Sequence, residues 1–328
     1  MFRCIIVDNP EPGISARLID FDESELPKSD LLVEVEYAGL NYKDALAVLG
    51  KGNVLRAKPM IPGSDLAGTV LESGVESFDV GDRVVVSGGG VGETMPGGLA
   101  QLASVVSDFA IKLPEAFDPW SAMAFGTAGF SAVLAVDTLT KLGVRAGGLP
   151  VAVSCPTGGL GTVAIGALAR LGFEVTAIAN PGADSDYARF VGASNTLELA
   201  SLQGRPTSLL SRRWAGVIDN AGGNILAQLI ASTNTGGVVV PCGILESTEV
   251  STSLMPFILR GIRLAGINPI YADHETRVKI WNRAAELFET GYWREISEEV
   301  ALTDVIEAST RVVSGDCRGR VVVDVNRC

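Results

Sequence analysis

Histidine is almost absent from this chain: His274 is the only one among 328 residues. A Ser-His-Asp or Cys-His hydrolase would have to be built on it, yet it lies in the polar stretch DHETR and no nucleophile elbow occurs elsewhere. A solitary exposed histidine at a helix start is the simpler reading. Metal catalysis meets the same obstacle, because zinc needs three clustered protein ligands. Cysteine is sparse as well. Cys4, Cys155, Cys242, Cys317 and Cys328 are far apart and odd in number, and no CxxC pair exists. Neither a zinc knuckle nor a disulfide framework is indicated, so these read as buried thiols and no metal is expected.

Positive charge is in deficit. Lys and Arg number 26 against 38 Asp and Glu, a net charge of −12, which argues against nucleic acid or an anionic membrane as partner. No apolar run is read as reaching the roughly twenty residues that span a bilayer. The N-terminus, MFRCIIVDNPEPG, has an acid and two prolines where a signal peptide needs a continuous apolar core. A cytoplasmic protein is expected. One segment departs from the acidic background: Lys43, Lys51, Arg56 and Lys58 face the single acid Asp44. It is either a solvated loop or a landing site for substrate phosphates, with Lys43 and Arg56 as the candidate contacts.

Glycine, by contrast, is plentiful: 38 residues in a chain that is 47% hydrophobic and long enough for two cores. Residues 1 to about 115 are strand-rich: FRCIIVD, LLVEVEYAGLN, DLAGTVLESG and GDRVVVSG are short apolar or alternating runs, a spacing that suggests a partly closed barrel. From about 120 strands alternate with helices. WAGVIDNAGG and GGVVVPCGIL are apolar strands ending in glycines, and RLAGINPIY resembles a last strand of that sheet. ETRVKIWNRAAELFET places Val278, Trp281, Ala285 and Phe288 on one helical face. A helix near 303–314 and the strand GRVVVDV close the chain.

The most informative stretch is LPVAVSCPTGGLGTVAIGALARLGFEVTAIAN, from Leu149 to Asn180. PVAVS suits a strand buried on both faces, and a turn with Gly158, Gly159 and Gly161 follows. Leu160, Val163, Ala164, Ala167, Leu168 and Leu171 then recur at the spacing of one helix face, and EVTAIAN is the next strand. Strand, glycine turn, helix and strand make the unit that sets a dinucleotide pyrophosphate on a helix N-terminus. The turn alone does not decide between that and a bare strand-to-helix connection. Cys155 and Pro156 stand where a tighter version has small residues, and Pro156 has no N–H to offer phosphate.

Longer motifs narrow the choice. LNYKDALAVLGKG (40–52), PMIPGSDLAG (59–68), VGDRVVV (80–86), GVGE (90–93), GGLAQ (97–101), GTAGFSA (126–132), MPFILRGIRLAGI (255–267) and GRVVVDV (319–325) occur in order along the whole chain. Together they resemble the medium-chain dehydrogenase/reductase superfamily, and within it the zinc-free acryloyl-CoA reductases, close relatives of the quinone oxidoreductases. The resemblance implies an α/β fold: a Rossmann doubly wound parallel sheet, expected at 123–270, inserted into a GroES-like β-rich catalytic domain formed by 1–122 and 271–328. Where zinc-dependent members have Cys and His, this chain has Asn41-Tyr42 and Gly63-Ser64. A homodimer is implied too, with RLAGINPIY pairing with its copy across a two-fold axis.

Members of this group reduce the α,β-double bond of a short enoyl-CoA with NADPH. The resemblance puts Asn41 and Tyr42 at the reacting centre, where enolate charge needs ready donors; the bland alternative for both is hydrogen bonding within a strand end. Thr127, with Gly126 and Ala128, would line the nicotinamide pocket. Thr157, Gly158, Gly159, Leu160 and Gly161 would hold the pyrophosphate, and Asn180 would follow the second strand. Cys242, Gly243, Ile244 and Asn268 would flank the nicotinamide, and Arg320 would reach a phosphate unless it forms a surface salt bridge. NADPH-preferring relatives carry Ser-x-Arg where this chain has Ala179-Asn180-Pro181, and a basic residue where it has Asn195. Three readings stay open: NADH is used, Arg189 substitutes, or the cofactor has been lost. Acryloyl-CoA-type reduction is the expected activity. A quinone or enone reductase, or a non-redox lyase, cyclase or binding protein, are the alternatives.

Overall fold

Two sheets with different pairing rules contain most of the strands. The computed structural model describes residues 1–8, 16–202, 204 and 208–327; Cys328 and the proline-bearing stretch 9–15 read above lie outside the described residues. The chain divides into two units, Met1–Thr127 with Pro269–Cys328, and Ala128–Asn268. The sequence reading sets the boundaries at 122/123 and 270/271; the structure divides at 127/128 and 268/269.

The first unit begins with β1 (Phe2–Val7) and β2 (Ala16–Phe21), an antiparallel pair. Then come β3 (Leu31–Leu40), α1 (Tyr42–Val48), β4 (Asp65–Ser73), β5 (Arg83–Ser87), β6 (Leu102–Val105) and β7 (Ala110–Lys112). In β3, Leu31, Val33 and Val35 point inward at the two-residue period of a strand, onto a core with Leu66, Val84, Val86, Val321 and Val323. Next is α2 (Pro119–Lys141), an element absent from the sequence reading. It is long and apolar enough to cross a bilayer, contrary to that reading, but 72% of its most apolar window is buried inside the protein. Gly126 (φ 46°, ψ −160°) breaks its helical backbone.

The second unit carries β8 (Val151–Ser154), α3 (Gly159–Arg170), β9 (Val175–Ala179), α4 (Ala183–Phe190) and β10 (Asn195–Glu198). It continues with β11 (Trp214–Asp219), α5 (Gly223–Ser232), β12 (Thr233–Pro241), α6 (Met255–Arg260) and β13 (Arg263–Leu264). All its strand pairs are parallel, in the order β10-β9-β8-β11-β12-β13. The order reverses direction between β8 and β11, which is the switch point where open α/β sheets bind ligands. This is the doubly wound sheet expected. RLAGINPIY supplies only two strand residues rather than a full strand. Helix α3 is enclosed from Gly161 to Leu168, more completely than one apolar stripe requires, while Leu160 and Leu171 are only half-buried.

The chain then returns to the first unit through α7 (His274–Leu287), α8 (Thr290–Glu295), β14 (Ser297–Ala301), α9 (Val305–Ser314) and β15 (Arg320–Asp324). Its sheet runs β14-β15-β3-β4-β5-β7, with β6 also on β3; this is the GroES-like β-rich domain, an open path rather than the ring a barrel suggests. The inner face of α7 is Arg277, Ile280, Trp281 and Ala284, not the face through Val278 and Ala285. Arg277 turns the helix this way, donating to the carbonyls of Ala272, Ser87 and Ile270 at 3.0, 2.8 and 2.7 Å. Trp281 packs edge-on against Phe125, ring centres 4.7 Å apart.

Candidate active site and dinucleotide turn

Where β3 meets α1, the first unit buries a group of polar side chains around Asn41. The Asn41 carboxamide donates to Asp65 Oδ2 at 2.8 Å and Ser64 Oγ at 3.3 Å, and accepts from Arg320 Nη1 at 2.9 Å. Asp65, fully buried, also receives the Thr127 N–H at 2.7 Å and the Thr127 hydroxyl. Arg320 donates to the carbonyls of Ala124 and Met123 at 3.1 and 3.2 Å and lies 3.7 Å from Asp65. The N–H of Asn41 and both Ser64 donors converge on the Asp44 carboxylate, each at 3.0 Å. A side chain at Gly126 would place its Cβ 2.5 Å from Asp65 Oδ2 and 2.8 Å from Arg320 Nη2, so only glycine lets the cluster close.

The cluster strains its own ionisations. Burial pushes the Asp44 carboxyl up to about 6, and the charge on Asp65 adds to this against the pull of Lys43. Burial likewise lowers the Arg320 guanidinium, with Asp65 and Asp44 opposing. Burial works against the charge on Lys43 too, but Asp44, Glu93 and Asp65 together hold its ammonium above the usual value. Lys43 pairs with Glu93, which withdraws it from the basic landing site expected at 43–58; Arg56 stays exposed. Arg320 has 3% of its surface exposed and its donors turned to protein acceptors, so it is neither a phosphate ligand nor a surface salt bridge. Asn41 is equally committed. Tyr42, by contrast, stands 41% exposed at the first position of α1.

In the second unit the turn after β8 is built differently. Cys155 takes a left-handed φ of +50°, rare outside glycine. A Cβ on Gly161 would lie 2.3 Å from the Cys155 carbonyl oxygen, so the helix starts pressed against the turn. Gly158 precedes α3 with no side-chain cap, and no acid occupies the first turn. The N–H groups ahead of Thr162 therefore lack an intrahelical acceptor, while Thr162 N–H reaches Gly158 O at 2.9 Å. Two other helices of this unit, which directly follow β9 and β11, are closed to an anion. Helix α4 begins with Asp184 and Asp186, and the start of α5 is taken by carboxylates of the chain itself: Asp219 on Gly222 N–H at 2.7 Å and Glu246 on Ile225 N–H at 3.0 Å.

Residues 27–115 match the alcohol dehydrogenase GroES-like domain family, and residues 159–286 match the zinc-binding dehydrogenase family. The acrylyl-CoA reductase AcuI of Ruegeria pomeroyi is 36% identical over 99% of this chain and 100% of its own. The chain belongs to the medium-chain dehydrogenase/reductase superfamily. The crystal structure of the yhdH oxidoreductase from Salmonella enterica in complex with NADP has a TM-score of 0.96 at 35% identity, covering 98% of this chain and 99% of that one. Bacillus subtilis protein yhfP with NAD bound gives 0.94 at 33% identity, with 99% of both chains covered.

As a member of the superfamily, the chain shows its departures clearly. No group of three or more His, Cys, Asp or Glu side chains able to hold a metal occurs among the described residues. At the end of β9, Ala179 is buried and Asn180 and Pro181 are exposed; the Asn180 carbonyl accepts from Ser185 Oγ at 2.9 Å. Arg189 pairs with Asp186 at 3.2 Å and donates to Thr196 Oγ1 at 3.0 Å. Thr157 and Leu160 are half-buried beside the turn, Cys242 and Gly243 are half-buried after β12, and Ile244 and Asn268 are exposed. Of the described cysteines only Cys4 is fully buried. Burial pushes the half-buried Cys155 thiol up to about 12, with Asp219 adding to it, so it stays a thiol at neutral pH. Asp44, Ser64, Asp65, Ser154 and Asp219 escaped the sequence reading of the sites, although NYKDAL and PGSDLAG contain the first three.

Proposed function

We propose that this protein is a nicotinamide-dependent reductase of an activated C=C bond, with a short enoyl-CoA such as acryloyl-CoA as substrate and no metal. The observation that carries the reading is the start of α3, which directly follows β8 at the switch point of the sheet and has no carboxylate of its own, whereas α4 and α5, which follow β9 and β11, do. A dinucleotide fits this turn, since uncommitted N–H groups and the helix dipole favour its diphosphate. Asn220 Oδ1, buried without a partner at the end of β11, is an acceptor for a hydroxyl or amide donor. Bound there, the nicotinamide supplies the hydride. Relatives that carry NADP or NAD support the same assignment.

The residues of the first unit prepare the acceptor. The cluster around Asn41 anchors the first turn of α1, because Asn41 N–H is held by Asp44 three residues on. That anchoring fixes Tyr42, whose hydroxyl donates to the thioester oxygen as enolate charge develops; the α-carbon takes its proton from water. Asn41 is a positioning residue on this reading. Tyr42→Phe is expected to lower kcat about tenfold or more with cofactor affinity unchanged, and full turnover in the variant would leave Tyr42 a surface residue.

The chain acts as a homodimer on our reading. Leu254 just before α6, Ile258 and Leu259 on α6 and Leu264 on the edge strand β13 are exposed apolar side chains beside a strand edge. A quinone or enone reductase is the second reading, favoured by the pairing of Lys43 with Glu93, which removes one cation from the phosphates of CoA. Following oxidation of NADH and NADPH with acryloyl-CoA, crotonyl-CoA and a benzoquinone separates the two. Turnover of the thioesters supports the first reading and turnover of the quinone alone the second. Failure to bind either nucleotide overturns both.

A further inference from the structure

The dinucleotide turn is held from the neighbouring strand. Ser154, the last residue of β8, is fully buried. Its hydroxyl donates to Asp219 Oδ1 at 2.7 Å and accepts the Asn220 N–H at 2.7 Å, and its carbonyl accepts the Asn220 carboxamide at 2.8 Å. The other oxygen of Asp219 takes Gly222 N–H at 2.7 Å at the entry to α5. The Asp219 carbonyl receives Cys242 N–H at 2.6 Å and Gly243 N–H at 3.2 Å from the end of β12. One residue therefore ties together the ends of β8 and β12 and the start of α5. Ser154 directly precedes Cys155, the left-handed residue whose carbonyl abuts Gly161. The direction in which the chain leaves β8 is thus set one residue ahead of the turn.

A fully buried carboxylate is an expensive way to pack a sheet, since desolvation opposes its charge. Its hydrogen bonds are instead spent on aiming backbone. Charge-assisted bonds to N–H and O–H donors are short and directional, and they hold their partners more tightly than neutral ones. Recognition of a diphosphate by backbone N–H groups depends on just such aim, because hydrogen bonds weaken steeply with angle. We infer that Asp219, acting through Ser154, is a positioning residue that fixes the Cys155–Gly161 turn for a diphosphate without touching the ligand.

The inference rests on the reading of that turn as the dinucleotide site. Its test is steady-state kinetics of the full-length protein with NADH and NADPH, together with direct titration by nicotinamide fluorescence. Asp219→Asn keeps the size of the side chain but turns an N–H toward one of its donors. Ser154→Ala removes the other end of the link. Each is expected to raise KM and Kd for the nucleotide about tenfold while kcat at saturating nucleotide stays within about twofold. The double variant is expected to be no worse than the poorer single one, because both cut the same link. Should Asp219→Asn fail to fold, Ser154→Ala carries the test alone. Folded variants with unchanged KM, losses that add in the double variant, or a fall in kcat without a rise in KM would each overturn the inference while the cofactor site stood. Absence of nucleotide binding by the unaltered protein would overturn the cofactor site itself.

Discussion

The cluster around Asn41 in the first unit and the start of α3 in the second treat polar groups in opposite ways. Around Asn41 the first unit brings together Asp44, Asp65 and Arg320 and turns their donors and acceptors on one another. At the start of α3 the second unit supplies no side-chain cap and keeps acids out of the first turn. A region that must hold side chains still gains from saturation. A region that must accept a charged ligand gains from being left incomplete, and its neighbours α4 and α5 show what completion looks like. Stability is therefore expected to be concentrated in the first cluster and ligand affinity in the second.

Breaking the saturated side should produce the largest effect. Arg320→Leu leaves Asp65 and Asn41 Oδ1 buried without their cation, and a loss of about 3–5 kcal/mol in urea unfolding is expected. A loss under about 1 kcal/mol would show that the cluster is not the stabilising network its geometry describes. The reverse change belongs to the other unit. Gly159→Leu, in the half-buried first turn of α3, is expected to weaken nucleotide binding by more than about 2 kcal/mol. Its unfolding midpoint should move little. Unchanged affinity in the folded variant would remove the turn from the cofactor site.

Acidity sharpens the same contrast. Burial raises Asp44 to about 6 from 3.8, so between about pH 4 and 6 the folded chain holds a proton that the unfolded chain has released. The stability due to this group is fully present below about pH 4 and is lost as the pH rises through about 6. Asp44→Asn should abolish that component of the pH–stability curve, and a curve of the same shape in the variant would place the titration elsewhere. The smallest effect concerns cofactor choice. Pro181→Arg puts a cation on the exposed segment after β9 and is expected to strengthen NADPH over NADH by about 1–2 kcal/mol. Ala179 is buried, so its side chain is no place for a second phosphate contact. A strong NADPH preference in the unaltered protein would point instead to Arg189, which would have to leave Asp186.

Much of the second unit was legible in sequence because its signals are local. A strand, a glycine turn and a helix lie within one short stretch. The first cluster was far less legible. Arg320 meets Asn41 across 279 residues, and nothing in the spacing of either residue announces the other. The motif PGSDLAG shows Asp65 but not that Thr127 and Asn41 close over it. Helix α7 misled for a related reason: a buried arginine satisfied by carbonyls occupies the inner face, and a pattern of apolar residues does not register it. The glycine at 126 hid α2 by interrupting its backbone.

The pairing of β15 with β3 has a consequence for the order in which a growing chain takes shape. Asp44 and Asp65 leave the ribosome well before Arg320, and until it arrives their pocket lacks its cation and its last sheet neighbour. The stretch 128–268 is contiguous and can finish first, as domains made early in synthesis do. A nascent chain halted ahead of Gly319 should therefore carry a protease-resistant middle between protease-sensitive ends, and only the final strand would seal the beginning.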